Sequence, residues 1–389
     1  MYRIGKEEAE AASRVIESGS LFRVGSVRHE VESFERAFSE RIGVSHTLLL
    51  SGGTGALAAA LVAIGIGPGD EVIVPAYTFI ASPIAVLMTG AVPVIAEVDE
   101  TLTLDPEDVR RKLSPHTRAL LPVHIQGFPC DMAQLMDIAR EHDLRVVEDA
   151  CQSAGGSFRG QALGSIGDAG AFSFNAFKII TAGEGVAFVT SNEDYYRRAV
   201  LYHDCGAAFW SRDTVAGTIP FAGSNLRASE ITGAIMRVQL SRLDGILADL
   251  RRVKRTMTER LSADARFREK AAFIPSHDPD GDCGTTLGLR FPDAETAAAF
   301  AAAIGGNRPF DTERHVYTHW DAVLGKRGAG TSFQNPYLLP QNQGLQTDYS
   351  PDMCPRTLDY LSRSVYLPLH CDWDDGVIDD KINTILKSL

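Results

Sequence analysis

The stretch DLRVVEDACQS (143–153) is an apolar run that ends on two carboxylates, Glu148 and Asp149, and then breaks into small and polar residues. A short Val- and Leu-rich run without polar alternation predicts a strand buried on both faces, the kind found in parallel sheets covered by helices. Such sheets bind ligands beyond the carboxyl ends of their strands, which is where this carboxylate pair falls. Asp149 also has a plainer reading, as the N-cap of a helix that follows the strand.

Working outward, six further runs have the same character: HTLLLS (46–51), EVIVPA (71–76), VPVIAEV (92–98), RALLPVHI (118–125), GAFSFN (170–175) and GVAFVTS (185–191). Helical stretches lie between them, among them GALAAALVAIG, PEDVRRKL after Asp105, and DMAQLMDIAREHD opened by Asp131 as N-cap. Alternation of this kind predicts an α/β fold with seven strands in one sheet. The glycine-rich GIGPGD (65–70) leads from a helix into a strand and lacks the G-x-G-x-x-G spacing, so it is read as a connection and not a dinucleotide fingerprint.

A chain of 389 residues exceeds what one core usually serves. Helical spacing persists unusually far through 224–261, and composition then shifts toward Pro, Gly and Asp at 275–284. The division is placed near residue 245, with a large domain over 1–245 that includes an N-terminal arm, and a smaller α+β domain over 246–389. The latter is expected to hold a strand at TTLGLRF, a helix at about 294–304, an irregular segment at 334–351 and a last helix after Asp374.

Against 38 Lys and Arg stand 50 Asp and Glu, a net charge of −12, the wrong sign for a nucleic-acid binder. No apolar run reaches the length of a membrane span, and the start MYRIGKEEAEAASRVIESG has no signal-peptide core, so a soluble cytoplasmic protein is expected. Six scattered cysteines (130, 151, 205, 283, 354, 371) form no C-x-x-C pair and are read as free thiols; no metal is expected.

Two more segments carry chemistry. In AFSFNAFKIITAGEGVAF (171–188), Lys178 sits in apolar company, where a lysine either lays its stem along the surface or offers a desolvated amine to an aldehyde. In LLLSGGTGALAAALVAIG (48–65) a strand runs into a Gly-Gly-Thr-Gly turn that opens a helix, which suits either a phosphate or tight helix packing. Pyridoxal phosphate is the cofactor that needs all three parts together: a phosphate cradle, a carboxylate for its ring nitrogen and a lysine for its aldehyde.

The segments SGGTGAL, GIGPGDEVIVPAYTFIA, GAVPVIAEVD, LLPVHIQG, DLRVVEDACQS, GSIGDAGAFSFNAFK, AGEGVAFVT and GSNLRASEI stand in one order over residues 30 to about 245. In that order they resemble the DegT/DnrJ/EryC1/StrS family of sugar aminotransferases, enzymes of aminosugar and antibiotic biosynthesis. The resemblance implies the fold-type-I aminotransferase architecture, a mostly parallel seven-stranded sheet flanked by helices with a smaller C-terminal α+β domain. It further implies that Lys178 carries pyridoxal 5'-phosphate as a Schiff base and shuttles a proton, and that Asp149 pairs with the ring nitrogen. Gln152 is implied at the phenolic oxygen and Phe79 on the ring face, where a core phenylalanine is the plainer reading. Gly53, Thr54 and Ser173 are implied at the phosphate, with Asn225 reaching the phosphate of a neighbouring subunit in a homodimer.

The implied reaction moves an amino group from glutamate or glutamine to a keto-sugar or keto-cyclitol with ping-pong kinetics. A sugar dehydratase or other lyase on the same scaffold is the alternative, and it would have His where Lys178 stands; a noncatalytic relative is the other. AGEGV and HDCG (203–206) depart from the family's usual runs, so no substrate contacts are assigned there. His124 is open between a cofactor contact and a structural histidine. His315, Tyr317, His319, Trp320 and His370 are expected mainly to pack the small domain.

Overall fold

The computed structural model describes residues 3–207, 215–330 and 334–389. All seven apolar runs form strands of one sheet. They are β1 (His46–Leu50), β2 (Glu71–Pro75), β3 (Val92–Ala96), β4 (Thr117–Leu120), β5 (Arg145–Asp149), β8 (Ala169–Ser173) and β9 (Val186–Thr190). A two-stranded hairpin, β6 (Ser157–Phe158) with β7 (Gln161–Ala162), lies between β5 and β8. The order across the large sheet is β1-β9-β8-β5-β4-β2-β3, and only β9 runs against the others. Strands β2, β3, β8 and β9 are buried along their whole length, which is why each reads as an unbroken apolar run.

Helices α1 (Lys6–Ser18), α2 (Glu30–Ile42), α3 (Gly53–Ala63), α4 (Ala81–Met88), α5 (Pro106–Lys112), α6 (Met132–Glu141) and α7 (Glu193–His203) precede the long α8 (Glu230–Ala263). Asp105 caps α5 through the Glu107 amide and Asp131 caps α6 through the Gln134 amide. α3 is apolar on every side and almost wholly buried, as a helix must be when it sits inside a core. α8 starts on Ser229, whose hydroxyl accepts the Thr232 amide, and crosses α2 so closely that a Cβ on Gly233 would stand 2.5 Å from the Val31 nitrogen. Residue 245, the proposed division, lies within this continuous helix.

Beyond α8, three antiparallel strands form a second sheet: β10 (Ala272–Phe273), β11 (Thr286–Arg290) and β12 (Ser364–Pro368). Two helices flank it, Ala294–Ile304 capped by Asp293 and Asp375–Ser388 capped by Asp374. One hydrophobic core links the two sheets, running from Leu49, Phe38 and Phe172 through Leu247 and Leu250 of α8 to Leu287, Leu289 and Ile378. Among the described residues no helix is long and apolar enough to cross a membrane.

Candidate active site

Neighbouring side chains on a strand point to opposite faces, so Glu148 and Asp149 at the end of β5 meet different surroundings. Glu148 is fully buried and accepts four hydrogen bonds: His124 Nε2 at 3.1 Å and the amides of Gly164 at 2.8 Å, Ile166 at 2.6 Å and Gly167 at 2.7 Å. His124 Nδ1 accepts the Cys130 amide at 3.2 Å, so the ring proton sits on Nε2 and is donated to Glu148. Both nitrogens of His124 are therefore used inside the protein, which resolves its two readings in favour of the structural one.

Asp149 points the other way. Its Oδ2 accepts the Ser82 hydroxyl at 2.8 Å and its Oδ1 accepts the Cys151 amide at 3.1 Å. No helix follows β5 before the β6 hairpin, so the N-cap reading is not realised; the Cys151 amide closes only a turn, and the carboxylate lines a cavity of about 610 Å³. Gly53, Thr54, Phe79, Gln152, Ser173 and Lys178 line that same cavity. The first turn of α3 brings Gly53 and Thr54, with a Cβ on Gly53 lying 4.0 Å from Ser173 Oγ at the end of β8. Gln152 Oε1 accepts the Gln126 amide at 3.0 Å. Among the described residues no hydrogen bond or ion pair engages the Lys178 amine.

Asn225 is not brought to this cavity: it is exposed, pairs as an isolated bridge with Asp204, and accepts the Arg227 amide at 3.4 Å. Phe79 is no core residue, being 38% exposed at the cavity with its ring 5.4 Å from that of His315. His315 lines the cavity too, although packing was its expected role, because its carbonyl accepts the Thr78 amide and ties the 314–315 segment to the one that carries Phe79. Burial, and after it the charge of Lys178, pushes the His315 imidazole down to about 4, so it is neutral at pH 7. Burial and the neighbouring Asp149 push the Cys151 thiol well up. Tyr317 and Trp320 are fully buried, but in the core of the large sheet with Val74 and Tyr77 and not in that of the small domain, while His319 is exposed.

Sequence reasoning missed several cavity residues: Gln126, Asn175, Glu184, Thr285, Thr286 and Arg314. Glu184 lies in AGEGV, where it accepts the Asn175 side-chain amide at 2.8 Å, so that departure from the family run was a usable signal. The others carry no local pattern. Closest to a metal set among the described residues are His370, Cys371 and Asp372, and there Arg3 already bonds Asp372 at 2.9 Å.

The profile of the DegT/DnrJ/EryC1/StrS aminotransferase family matches residues 2–386. GDP-perosamine synthase of Caulobacter vibrioides is 40% identical over 244 residues, which cover 61% of this chain and 64% of that protein. The chain thus spans slightly less than two thirds of the length of that relative. The spore coat polysaccharide biosynthesis protein SpsC of Bacillus subtilis is 31% identical over 396 residues, covering 98% of this chain and 94% of its own. Among solved structures, 3-amino-5-hydroxybenzoic acid synthase superposes with a TM-score of 0.80 at 29% identity, covering 100% of this chain and 97% of that one.

Proposed function

Since the chain belongs to the DegT/DnrJ/EryC1/StrS aminotransferase family, we propose that it is a pyridoxal-phosphate-dependent aminotransferase. In this reading it takes an amino group from glutamate or glutamine and passes it to a keto-sugar or keto-cyclitol by a ping-pong route. The observation that carries the reading is the convergence of Lys178, Asp149, the Gly53–Thr54 turn and Ser173 on one cavity, from segments far apart in the chain.

The residues present fit the cofactor. Backbone amides at the start of α3, with two hydroxyls, suit a phosphate. Asp149 accepts two donors and keeps lone pairs open for a protonated ring nitrogen. The volume lies in the range of small-ligand sites. Pyridoxal phosphate, when bound, supplies the electron sink that loosens a proton on the carbon bearing the donor's nitrogen.

The chain supplies the rest. Lys178 would hold the cofactor through its amine, and when free that amine is placed to move a proton at the donor carbon. Asp149, oriented by Ser82, holds the proton on the ring nitrogen by its charge. Phe79 offers a ring face, and Gln152 presents its Nε2 to the phenolic oxygen. Because His315 is neutral, it adds no second cation beside the Lys178 amine.

The reading includes a homodimer. Asn225 is exposed and lies outside its own chain's cavity, and Phe177 is 91% exposed at the cavity wall next to Lys178. In this reading a second copy covers Phe177, and Asn225 serves the phosphate of the neighbouring subunit.

Purified protein should be yellow and lose that visible band on borohydride reduction. Lys178→Ala should bind added pyridoxal phosphate without forming the band, and its turnover should fall about 10³-fold or more. A wild-type protein that takes up no pyridoxal phosphate would overturn the reading.

A further inference from the structure

Gln126 is a non-glycine residue in the left-handed region, at φ 54°, and is followed by Gly127 at φ 81°. A long side chain gains nothing there and the conformation is unfavourable, so surrounding contacts must impose it. Those contacts come from the segment that leads into β11. Thr285 Oγ1 donates to the Gln126 carbonyl at 2.5 Å, Thr286 Oγ1 donates to Gln126 Oε1 at 3.0 Å, and the Cys283 amide donates to the Gly127 carbonyl at 3.2 Å. The turn is tightly seated: a Cβ on Gly127 would lie 2.7 Å from that of Cys283.

On its other side the Gln126 backbone N–H donates to Gln152 Oε1 at 3.0 Å. A backbone N–H can only donate, so the oxygen of Gln152 is committed and Nε2 is the end left for the cavity that both residues line. Thr285 just before β11 and Thr286 at its start thus hold one glutamine, and that glutamine fixes the rotation of another.

We propose that Gln126 is a positioning residue, held in its left-handed conformation by Thr285 and Thr286, which locks Gln152 with its Nε2 donor toward the phenolic oxygen of the cofactor. The proposal rests on the reading that pyridoxal phosphate fills the cavity. It couples the seating of the small sheet to the charge on the cofactor. A donor at the phenolic oxygen stabilises negative charge there, so a neighbouring proton is lost at lower pH; a Gln152 free to rotate gives up that effect.

The test is a pH titration of the visible band of the holoenzyme. Gln152→Ala should raise the midpoint by about one pH unit, and Thr285→Val with Thr286→Val should raise it by about half a unit. Placed on Gln152→Ala, the threonine changes should add nothing, since they act only through Gln152. An unchanged midpoint in a threonine variant with wild-type circular dichroism and melting temperature would overturn the proposal. So would an equal shift on the Gln152→Ala background. If the double variant does not fold, Thr285→Val alone removes the donor to the Gln126 carbonyl and carries the same two expectations. A wild-type protein without a visible band strikes at the cofactor reading, and it is seen before any variant is made.

Discussion

The two sides of the end of β5 hold chemically similar side chains in opposite states. On one side Glu148 is saturated, with three backbone amides and the His124 Nε2 proton filling roughly the four lone-pair sites of a carboxylate. On the other, Asp149 has two donors and faces the cavity. A buried carboxylate whose acceptors are all filled from within is part of the scaffold, whereas one left underfilled at a cavity wall is free to meet a ligand. Local sequence does not separate the two, since they are consecutive acidic residues at one strand end.

Exchanging the charge on each side should break the pair in different ways. On the proposed pairing of Asp149 with the cofactor's ring nitrogen, Asp149→Asn is expected to lower turnover about 10³-fold while the melting temperature changes little, because an amide cannot hold a ring proton by charge. Steady-state rates read beside a thermal melt check this, and near-wild-type turnover would dissolve the contrast. Glu148→Gln should do the reverse, costing about 2–4 kcal/mol in denaturant unfolding, since an amide NH₂ is forced against backbone N–H groups in a buried pocket. Turnover per folded molecule should hold.

The smallest effect concerns the cavity's histidine. His315 has an ordinary value of 6.5 and is held down to about 4 by burial, then by Lys178. Between those values the unfolded chain binds a proton that the folded chain does not, so stability falls as pH drops from 6.5 toward 4 and is unaffected above. His315→Gln should therefore gain about 1 kcal/mol relative to wild type at pH 5.5 compared with pH 7.5, measured as paired unfolding curves. An identical difference at both pH values would mean that the imidazole is not buried neutral.

Much of the large sheet was legible, and the reason is physical: strands covered on both faces leave continuous apolar runs, and Asp131 and Asp374 mark helix starts by capping chemistry. β4 stops at Leu120, short of the run that continues to Ile125, because Pro122 has no N–H to extend the ladder. The cavity was legible where its residues sit in compact motifs at strand ends, as Asp149, Ser173 and Lys178 do. Gln126, Thr285 and Arg314 were not, because they meet only once the small sheet is seated on the large one. His315 was misread as packing because its tie to the Phe79 segment is made by backbone atoms, which leave no trace in side-chain pattern.

The single reversed strand has a mechanical meaning. The other six strands of the large sheet point their carboxyl ends at the cavity edge, but β9 brings its beginning there, so the connection over residues 174–185 leaves and re-enters the sheet at one edge. Lys178 is carried on that connection, which is pinned on both sides by neighbouring strands and closed by the Asn175–Gly183 bridge. On the role proposed for Lys178, which lets go of a partner and regains it in every cycle, a base that does not drift is an advantage. A crossover to a parallel strand would have taken the chain to the far edge of the sheet and back, leaving the lysine on a far longer tether.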